Sequence, residues 1–440
     1  MDMPTKLSEI ARTDWDLIVA GAGPAGALVA HMVAKEDKKV LLVDKAVFPR
    51  SKVCGCCLNA SAFAALQEAG IAHILAENNA MTVENFAVHD SLQQASLRIP
   101  RGYALSRAVF DAAVVNEAIK SGACFLPGTT AYLEEARSDA VRVCLKDEHE
   151  LVQCDASILV VADGISGRTL AGHKEFDFEI QPDAKFGAGA ILPGGKDLID
   201  AGTIYMACAN QGYVGMVRLE NGQIDVAAAL CTSFSRECGG PAKAAEKILR
   251  SCKLPIPDNL AQSSWHGTEP LTRKRKKLAG QRIFVVGDAG SYAEPLTGEG
   301  ISWALWSALT ASNLVVAAID DWSMELATNW QSIRHRLIDG RQRNSKFIAC
   351  LFSHPFLRTA TLAGLRLIPA LAQPILTNLK EDGMLEAVRQ MNHTIAHGGR
   401  GQHSNKLGDK LGDKLSDQLG DQLGDQHSDQ RSEEPCPQAF

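Results

Sequence analysis

The sequence predicts an α/β fold in which a parallel-sheet domain is interleaved with a mostly antiparallel second sheet and followed by C-terminal helices. Three observations predict it. Between residues 16 and 44 an apolar run, a glycine-rich turn, a helical stretch and a second apolar run follow one another, the order of a βαβ unit. From about Phe176 to Ser264 the pattern turns strand-rich, with turn signals at Pro193-Gly194-Gly195 and Asn221-Gly222. The chain then returns to an apolar strand, Arg282 to Val286, which runs into a long apolar helix.

Each element follows in order. Asp16 to Ala20 (DLIVA) is entered from a polar leader, as a central parallel strand is, and Lys39 to Val43 (KVLLV) supplies the second strand. Alternating and polar residues from about Met81 to Leu105 suggest strands outside that unit. Arg107 to Ile119 has helical apolar spacing, and Val141 to Leu145 and Ala156 to Val161 read as further strands. Gly212 to Leu230 reads as a hairpin about Asn221-Gly222. Beyond Val286, helices extend to about His397. The expected division assigns residues 1–80, 101–175 and 276–325 to the parallel-sheet domain and 81–100 and 176–275 to the second lobe. Residues 326–398 form the C-terminal helices, and 399–440 a low-complexity tail. From Leu407 the tail repeats LGDK, LGDK, LSDQ, LGDQ, LGDQ, HSDQ, with too little bulk to bury, and reads as disordered.

Composition narrows the function. A chain of 440 residues exceeds one core, and 46% hydrophobic with 22% charged residues is a folded composition. A net charge of −6 and few aromatics speak against a nucleic-acid partner. Met1-Asp2-Met3-Pro4 shows no secretory leader, so the twelve scattered cysteines read as reduced thiols of a cytoplasmic protein. Gly300 to Ile319 carries no charge and is long enough to span a membrane. Its serines, threonine and asparagine, and its start inside a glycine motif, make it a buried helix instead.

The chemistry begins at Gly21-Ala22-Gly23-Pro24-Ala25-Gly26, between strand and helix. Gly21 permits the tight turn, Gly23 the approach of a pyrophosphate, and Gly26 close helix–strand packing, which makes the domain Rossmann-type. The helix N-terminus offers free N–H groups to phosphates. Asp44, 18 residues after Gly26, is placed to accept hydrogen bonds from an adenosine ribose.

A second motif, Ile283 to Gly300 (IFVVGDAGSYAEPLTGEG), places Gly287-Asp288 after a strand and Pro295, Gly298 and Gly300 at a helix start. With it the sequence resembles the FAD-binding superfamily of aromatic hydroxylases, geranylgeranyl reductases and FixC-like flavoprotein dehydrogenases. The resemblance implies FAD as cofactor, with Asp288 at the ribityl or ribose hydroxyls. It lays Pro295, Thr297, Gly298, Glu299, Gly300 and Ile301 along the isoalloxazine, with Pro295 and Gly298 counted as catalytic. The helix starting there would stabilise negative charge on reduced flavin. The resemblance covers most of residues 14 to 320. Phe48-Pro49-Arg50-Ser51-Lys52-Val53-Cys54-Gly55 looks like the reductase branch, which places a Lys and a Cys after the second strand. Arg107 matches an arginine that reaches the FAD phosphates, and Lys45, Lys52 and Asp163 join the implied cofactor shell.

Two departures stand out. Asp163-Gly164-Ile165-Ser166-Gly167-Arg168 is shorter than the family's DGxxSxxR, which leaves the mode of NADPH contact open. The expected Cys-Gly-Gly is here Cys54-Gly55-Cys56-Cys57. No second ligand pair accompanies these thiols, so no metal is expected, and adjacent Cys56 and Cys57 would strain a mutual disulfide. Cys54 is a proton donor or a wall of the substrate cavity. The run Arg273-Lys274-Arg275-Lys276-Lys277 reads first as a solvated face, and otherwise as an NADPH phosphate site or a patch for an acidic redox partner. The apolar stretch after Arg343 reads as helices over the substrate lobe, or as a surface that leans on a membrane to collect a lipid.

These readings favour a reductase or dehydrogenase that exchanges hydride between flavin and a small hydrophobic substrate (isoprenoid-, lipid- or polyketide-like), where the two lobes meet. The alternative is an NAD(P)H-dependent monooxygenase that hydroxylates an aromatic or polyketide substrate through a C4a-hydroperoxide. The Pro-Arg-x-Lys-x-Cys segment and Glu299 lean to the reductase, and Gly290 stands where hydroxylases more often carry a histidine. The Tyr-x-Trp-x-Phe-Pro segment of geranylgeranyl reductases is missing, so that substrate in particular is not implied.

Overall fold

The computed structural model describes residues 7–194, 198–294, 296 and 298–372. The expected tail at 399–440 and the helices expected after residue 372 lie outside them.

Continuous apolar runs build a parallel sheet at the centre of the first lobe. Trp15–Ala20 pairs in parallel with Val40–Asp44 on one side and Leu151–Val161 on the other. Cys124–Pro127 and Ile283–Val285 extend the sheet outward, also in parallel. An antiparallel pair, Thr130–Ala136 and Val141–Lys146, continues from the strand Leu151–Val161. Leu17, Ile18, Val19, Leu41 and Leu42 are fully buried, and each such side chain contributes about 1.5–3 kcal/mol. Helices cover the sheet, as uniformly apolar strands require. Among them are Pro24–Ala34 and Gly300–Asp320, which pack against each other. The second of these passes a length and composition test for a membrane span, yet 83% of its apolar window is buried inside the fold.

The second sheet has eight strands and is antiparallel throughout except where Thr203–Ala209 lies parallel to Met81–His89. Gly212–Arg218 and Ile224–Leu230 form the expected hairpin. Alternation sorts its residues. Val214 and Val226 pack with Ala244, Ala245, Ile248 and Leu249 of the helix Pro241–Ser251 on one face. Tyr213, Gly215, Asp225 and Ala227 face a cavity on the other. The strand-rich expectation for 176–264 therefore needs a correction: Thr232–Glu237 and Pro241–Ser251 are helices. The second helix begins with Pro241 in its first turn and sets apolar residues at helical spacing, a signal hidden among alanines.

The basic run is also corrected. Arg273–Arg275 is a short strand between Phe178–Ile180 and Ser291–Tyr292, so its side chains alternate. Arg273 and Arg275 point inward, buried, and both guanidiniums stack on Phe178 at 4.3 and 4.1 Å. Arg273 donates to the Ile165 carbonyl, and Arg275 to the carbonyls of Ala289, Phe176 and Gly167. Lys274 points outward to Asp339 at 2.6 Å. These arginines tie the Asp163 turn to the Asp288 turn instead of forming a solvated face.

Candidate functional site

The first glycine turn leaves no room for side chains where the chain must bend. Gly21 has φ +105°, and a Cβ there would lie 2.4 Å from the Ala162 carbonyl oxygen. At Gly26 a Cβ would lie 1.8 Å from the Gly21 carbonyl oxygen. Gly23 differs. Its Cβ would meet only Arg50 Nη2 at 3.6 Å and Arg107 Nη2 at 4.0 Å, so it faces open space bordered by two guanidiniums. Gly23 caps the helix Pro24–Ala34 without any side-chain bond to its N–H groups, and Pro24 and Ala25 form the first turn. Cations and free N–H groups converging on one space are what a diphosphate requires.

The arginines are held in place. Arg107 pairs with Asp111 through two bonds of 2.8 Å, and Arg50 reaches the same carboxylate at 3.1 Å. Asp44 ends its strand buried and accepts from the Ala22 and Ala46 N–H groups at 2.8 and 2.9 Å. Lys45 beside it is exposed.

The second turn touches the first. Gly287 has φ +59°, and a Cβ there would lie 2.8 Å from the Ala25 Cβ. The neighbouring Asp288 carboxyl is pushed up to about 6 by burial, a rise moderated by Lys52 and Arg107. The Lys52 ammonium is itself pushed down by burial and by the two arginines. Asp163, after the strand Leu151–Val161, accepts from the Thr169 N–H at 2.7 Å through Oδ2, while its buried Oδ1 has no partner. Lys52 Nζ would lie 3.0 Å from a Cβ on Gly164, so Lys52 sits against this turn. Asp44, the open space at Gly23 and Asp288 suit an extended dinucleotide: a ribose acceptor, phosphate cations, and a second, half-buried acid with the orphan Asp163 oxygen on the neighbouring turn.

Gly298 has φ +71° and precedes Gly300, which opens the helix Gly300–Asp320. Glu299 is buried and accepts from Ser345 Oγ at 2.7 Å. Pro295 and Thr297 lie outside the described residues. Gly298, Gly300 and Ile301 border an apolar cavity open to solvent. Phe86, Leu97, Ile204, Met206, Phe352 and Leu365 also line it, and Cys54 sits on its wall.

The cavity carries polar groups that the sequence did not mark. The Tyr213 hydroxyl is buried without a partner. Asp225 is buried in its strand, and burial together with the Cys54 charge holds its carboxyl well above the ordinary range. Cys54 is pulled down to about 5, chiefly by a hydrogen bond from Cys56, with Arg107 adding to it, so it is a thiolate at neutral pH. Arg50 stood in the quoted segment without being singled out, and Asp111 was legible as the i+4 acid of Arg107. Asp225 and Tyr213 were not, because facing the cavity depends on strand register.

Two glycine turns in contact, with cations between them and an apolar cavity beyond, define a flavin-dependent oxidoreductase. Residues 14–338 match the FAD binding domain family, and the chain belongs to it. It is an FAD-dependent oxidoreductase. The menaquinone reductase of Mycolicibacterium smegmatis is 27% identical over 346 residues, covering 70% of this chain and 78% of that protein. Digeranylgeranylglycerophospholipid reductase 2 of Methanosphaera stadtmanae is 26% identical over 331 residues, covering 70% and 79%. Solved structures share the fold. A flavoprotein/dehydrogenase from Cytophaga hutchinsonii superposes with a TM-score of 0.71 at 16% identity over 92% of this chain and all of that one. The p-nitrophenol 4-monooxygenase of Pseudomonas putida gives 0.67 at 15% identity over 86% and 97%.

Proposed function

We propose that the chain reduces a carbon–carbon double bond in an isoprenoid lipid. The observation that carries this is the cavity: walled by aliphatic and aromatic side chains, and lined both by the Gly298–Ile301 loop and by the C-terminal helices. Menaquinone and digeranylgeranyl lipids, named in the two relatives, have in common a polyprenyl chain, which such walls suit. Gly21 to Gly26, Arg50 and Arg107 would hold the FAD diphosphate, Asp44 the adenosine ribose, and Asp163, Lys52 and Asp288 the ribityl segment. When bound, FAD supplies a hydride to the substrate and takes up two electrons from a donor, for which NAD(P)H is one choice.

The chain's own residues do the rest. Gly215, Ala227 and Ala229 let the lipid lie close to the sheet, while Phe86 and Met206 exclude water. Asp225, neutral through burial, is the acid we assign to protonate the carbon that does not receive hydride. Cys54, an anion at neutral pH, is poorly suited to that task. Anaerobic incubation of the reduced protein with a polyprenyl lipid should add two hydrogens by mass spectrometry, and Asp225→Asn should retain FAD while losing most turnover. An oxygenated product formed in air, with no saturation anaerobically, points to the monooxygenase instead.

Substrate delivery follows from the same helices. Gly340–Ser353 and Pro355–Leu367 turn Ile348, Phe352 and Leu365 to the cavity and Phe347, Phe356 and Leu367 to solvent, the last two 82% and 80% exposed. Arg343, Lys346 and Arg366 are exposed on these helices, and residues 340–372 contain no acidic residue. This face suits an anionic lipid surface. The protein should co-sediment with phosphatidylglycerol vesicles and not with phosphatidylcholine ones; equal recovery with both, or with neither, contradicts the membrane reading.

A further inference from the structure

The cavity wall is apolar except at a few residues, and two of these keep a hydrogen-bond donor unused. Asn59 lines the cavity and caps the helix Ala60–Glu68, where its Oδ1 accepts from the Ala62 N–H at 2.9 Å. That bond fixes which end of the amide remains, and the remaining Nδ2 is buried with no acceptor. Tyr213 lines the same cavity from the strand Gly212–Arg218 and packs on the cluster that holds Leu296 and Phe352. Its hydroxyl is likewise buried and unpartnered. Buried polar groups nearly always find partners within a folded chain, so two unused donors on the wall of one cavity call for a ligand that brings acceptors.

Charge on the wall is one-sided as well. No lysine, arginine or histidine is among the described residues that line the cavity. Leu97 and Ile99 face it, and alternation turns Arg98 between them outward, where Arg98 and Arg101 pair with Glu84. Lys185 is spent on Glu294, reaching both carboxylate oxygens at 3.0 Å. Arg50 and Arg107 stand at Gly23, where a diphosphate is expected, and Arg107 is held by Asp111. The cavity's own acid, Asp225, is kept neutral by burial, and Cys54 meets the cavity as an anion. A phosphate brought in would lose its water beside a thiolate, with no cation on the wall to replace it.

We infer that the cavity takes in the head group of its substrate as well as the chain, and that this head group is uncharged and quinone-like, with carbonyl oxygens that accept from Asn59 Nδ2 and the Tyr213 hydroxyl. A carbonyl oxygen accepts and donates nothing, which matches a wall whose unused groups are donors. This rests on the isoprenoid reading and narrows it: Asn59 and Tyr213 are specificity-determining residues, and isoprenoid phosphates and diphosphates are excluded.

The test is equilibrium binding to the oxidised, FAD-loaded protein in detergent, followed by the flavin absorbance. Its two probes are a naphthoquinone bearing a geranylgeranyl chain and geranylgeranyl diphosphate, which share the chain and differ in the head. The wild type should bind the quinone at least about tenfold more tightly than the diphosphate. Tyr213→Phe and Asn59→Ser remove one donor each, and serine keeps an oxygen for the Ala62 N–H. Each should weaken the quinone about fivefold, leaving FAD content and diphosphate affinity unchanged. Should a variant lose its FAD, the ratio of the two affinities in the wild type decides. Diphosphate binding as tight as the quinone's overturns the proposal and leaves the isoprenoid reading standing. Undiminished quinone affinity in both variants overturns it too. A flavin that responds to neither probe overturns the isoprenoid reading itself, and the proposal with it.

Discussion

The glycine turns of the parallel sheet and the cavity floor at Gly215 in the antiparallel sheet use glycine differently. In the parallel sheet and its turns, Gly21, Gly26 and Gly287 are fixed by backbone that would lie 1.8 to 2.8 Å from any Cβ or by a neighbouring methyl. In the antiparallel sheet, Gly215 borders the cavity, and a Cβ there would meet nothing closer than the Met206 Cε, at 3.4 Å. The first set is demanded by the fold and the dinucleotide. The second keeps a cavity floor smooth, and a methyl group would be accommodated. The cofactor turns are written in backbone constraints, and the cavity floor at Gly215 in side-chain size.

That difference is open to direct attack. Gly26→Ala should cost the most, more than about 3 kcal/mol, because neither carbonyl nor helix can withdraw. Soluble yield and thermal melting would show it, and a normal melt with full flavin content would break the contrast. Arg275→Ala comes next. It strips donors from three buried carbonyls and should lower stability by about 3 kcal/mol in a urea titration. An unchanged midpoint would return the basic run to the solvated reading.

A smaller effect concerns the junction of the two sheets. Iodoacetamide should alkylate Cys54 with a half-maximal rate near pH 5, against about 8.5 for a free thiol, because its anion is favoured in place. The rate should rise with pH through that value and then level off. Arg107→Ala should move the midpoint upward; a midpoint near the free-thiol value in the wild type would remove the assigned ionisation. Gly215→Ala should matter least to the fold, under about 1 kcal/mol, yet raise KM several-fold for a lipid that lies on that floor. An equal loss of stability and affinity would place Gly215 with the constrained glycines.

The same contrast explains what could be read in advance. The strands Trp15–Ala20, Val40–Asp44 and Ile283–Val285, the glycine turns and the arginine at the head of Arg107–Lys120 were legible because each leaves a local mark. Strand existence in the second sheet was legible too, down to the hairpin at Asn221-Gly222. Facing was not. Whether Asp225 looks into a cavity or into solvent depends on which strands flank the hairpin and what covers each face, and Asp225 lies opposite Ile191 of a strand distant in sequence. Arg273 and Arg275 misled for a related reason: five consecutive basic residues look solvated until a three-residue strand turns alternate ones inward.

The claim on which all of this rests is that one FAD bridges the two glycine turns. The flavin content of the purified chain beside its Gly23→Val variant tests it most directly, because the open space at Gly23 admits a valine without harm to the fold but not alongside a phosphate. The expected result is a yellow wild type with one FAD per chain and a folded, colourless variant. A colourless wild type that takes up no added FAD, or a variant with undiminished flavin, would contradict it.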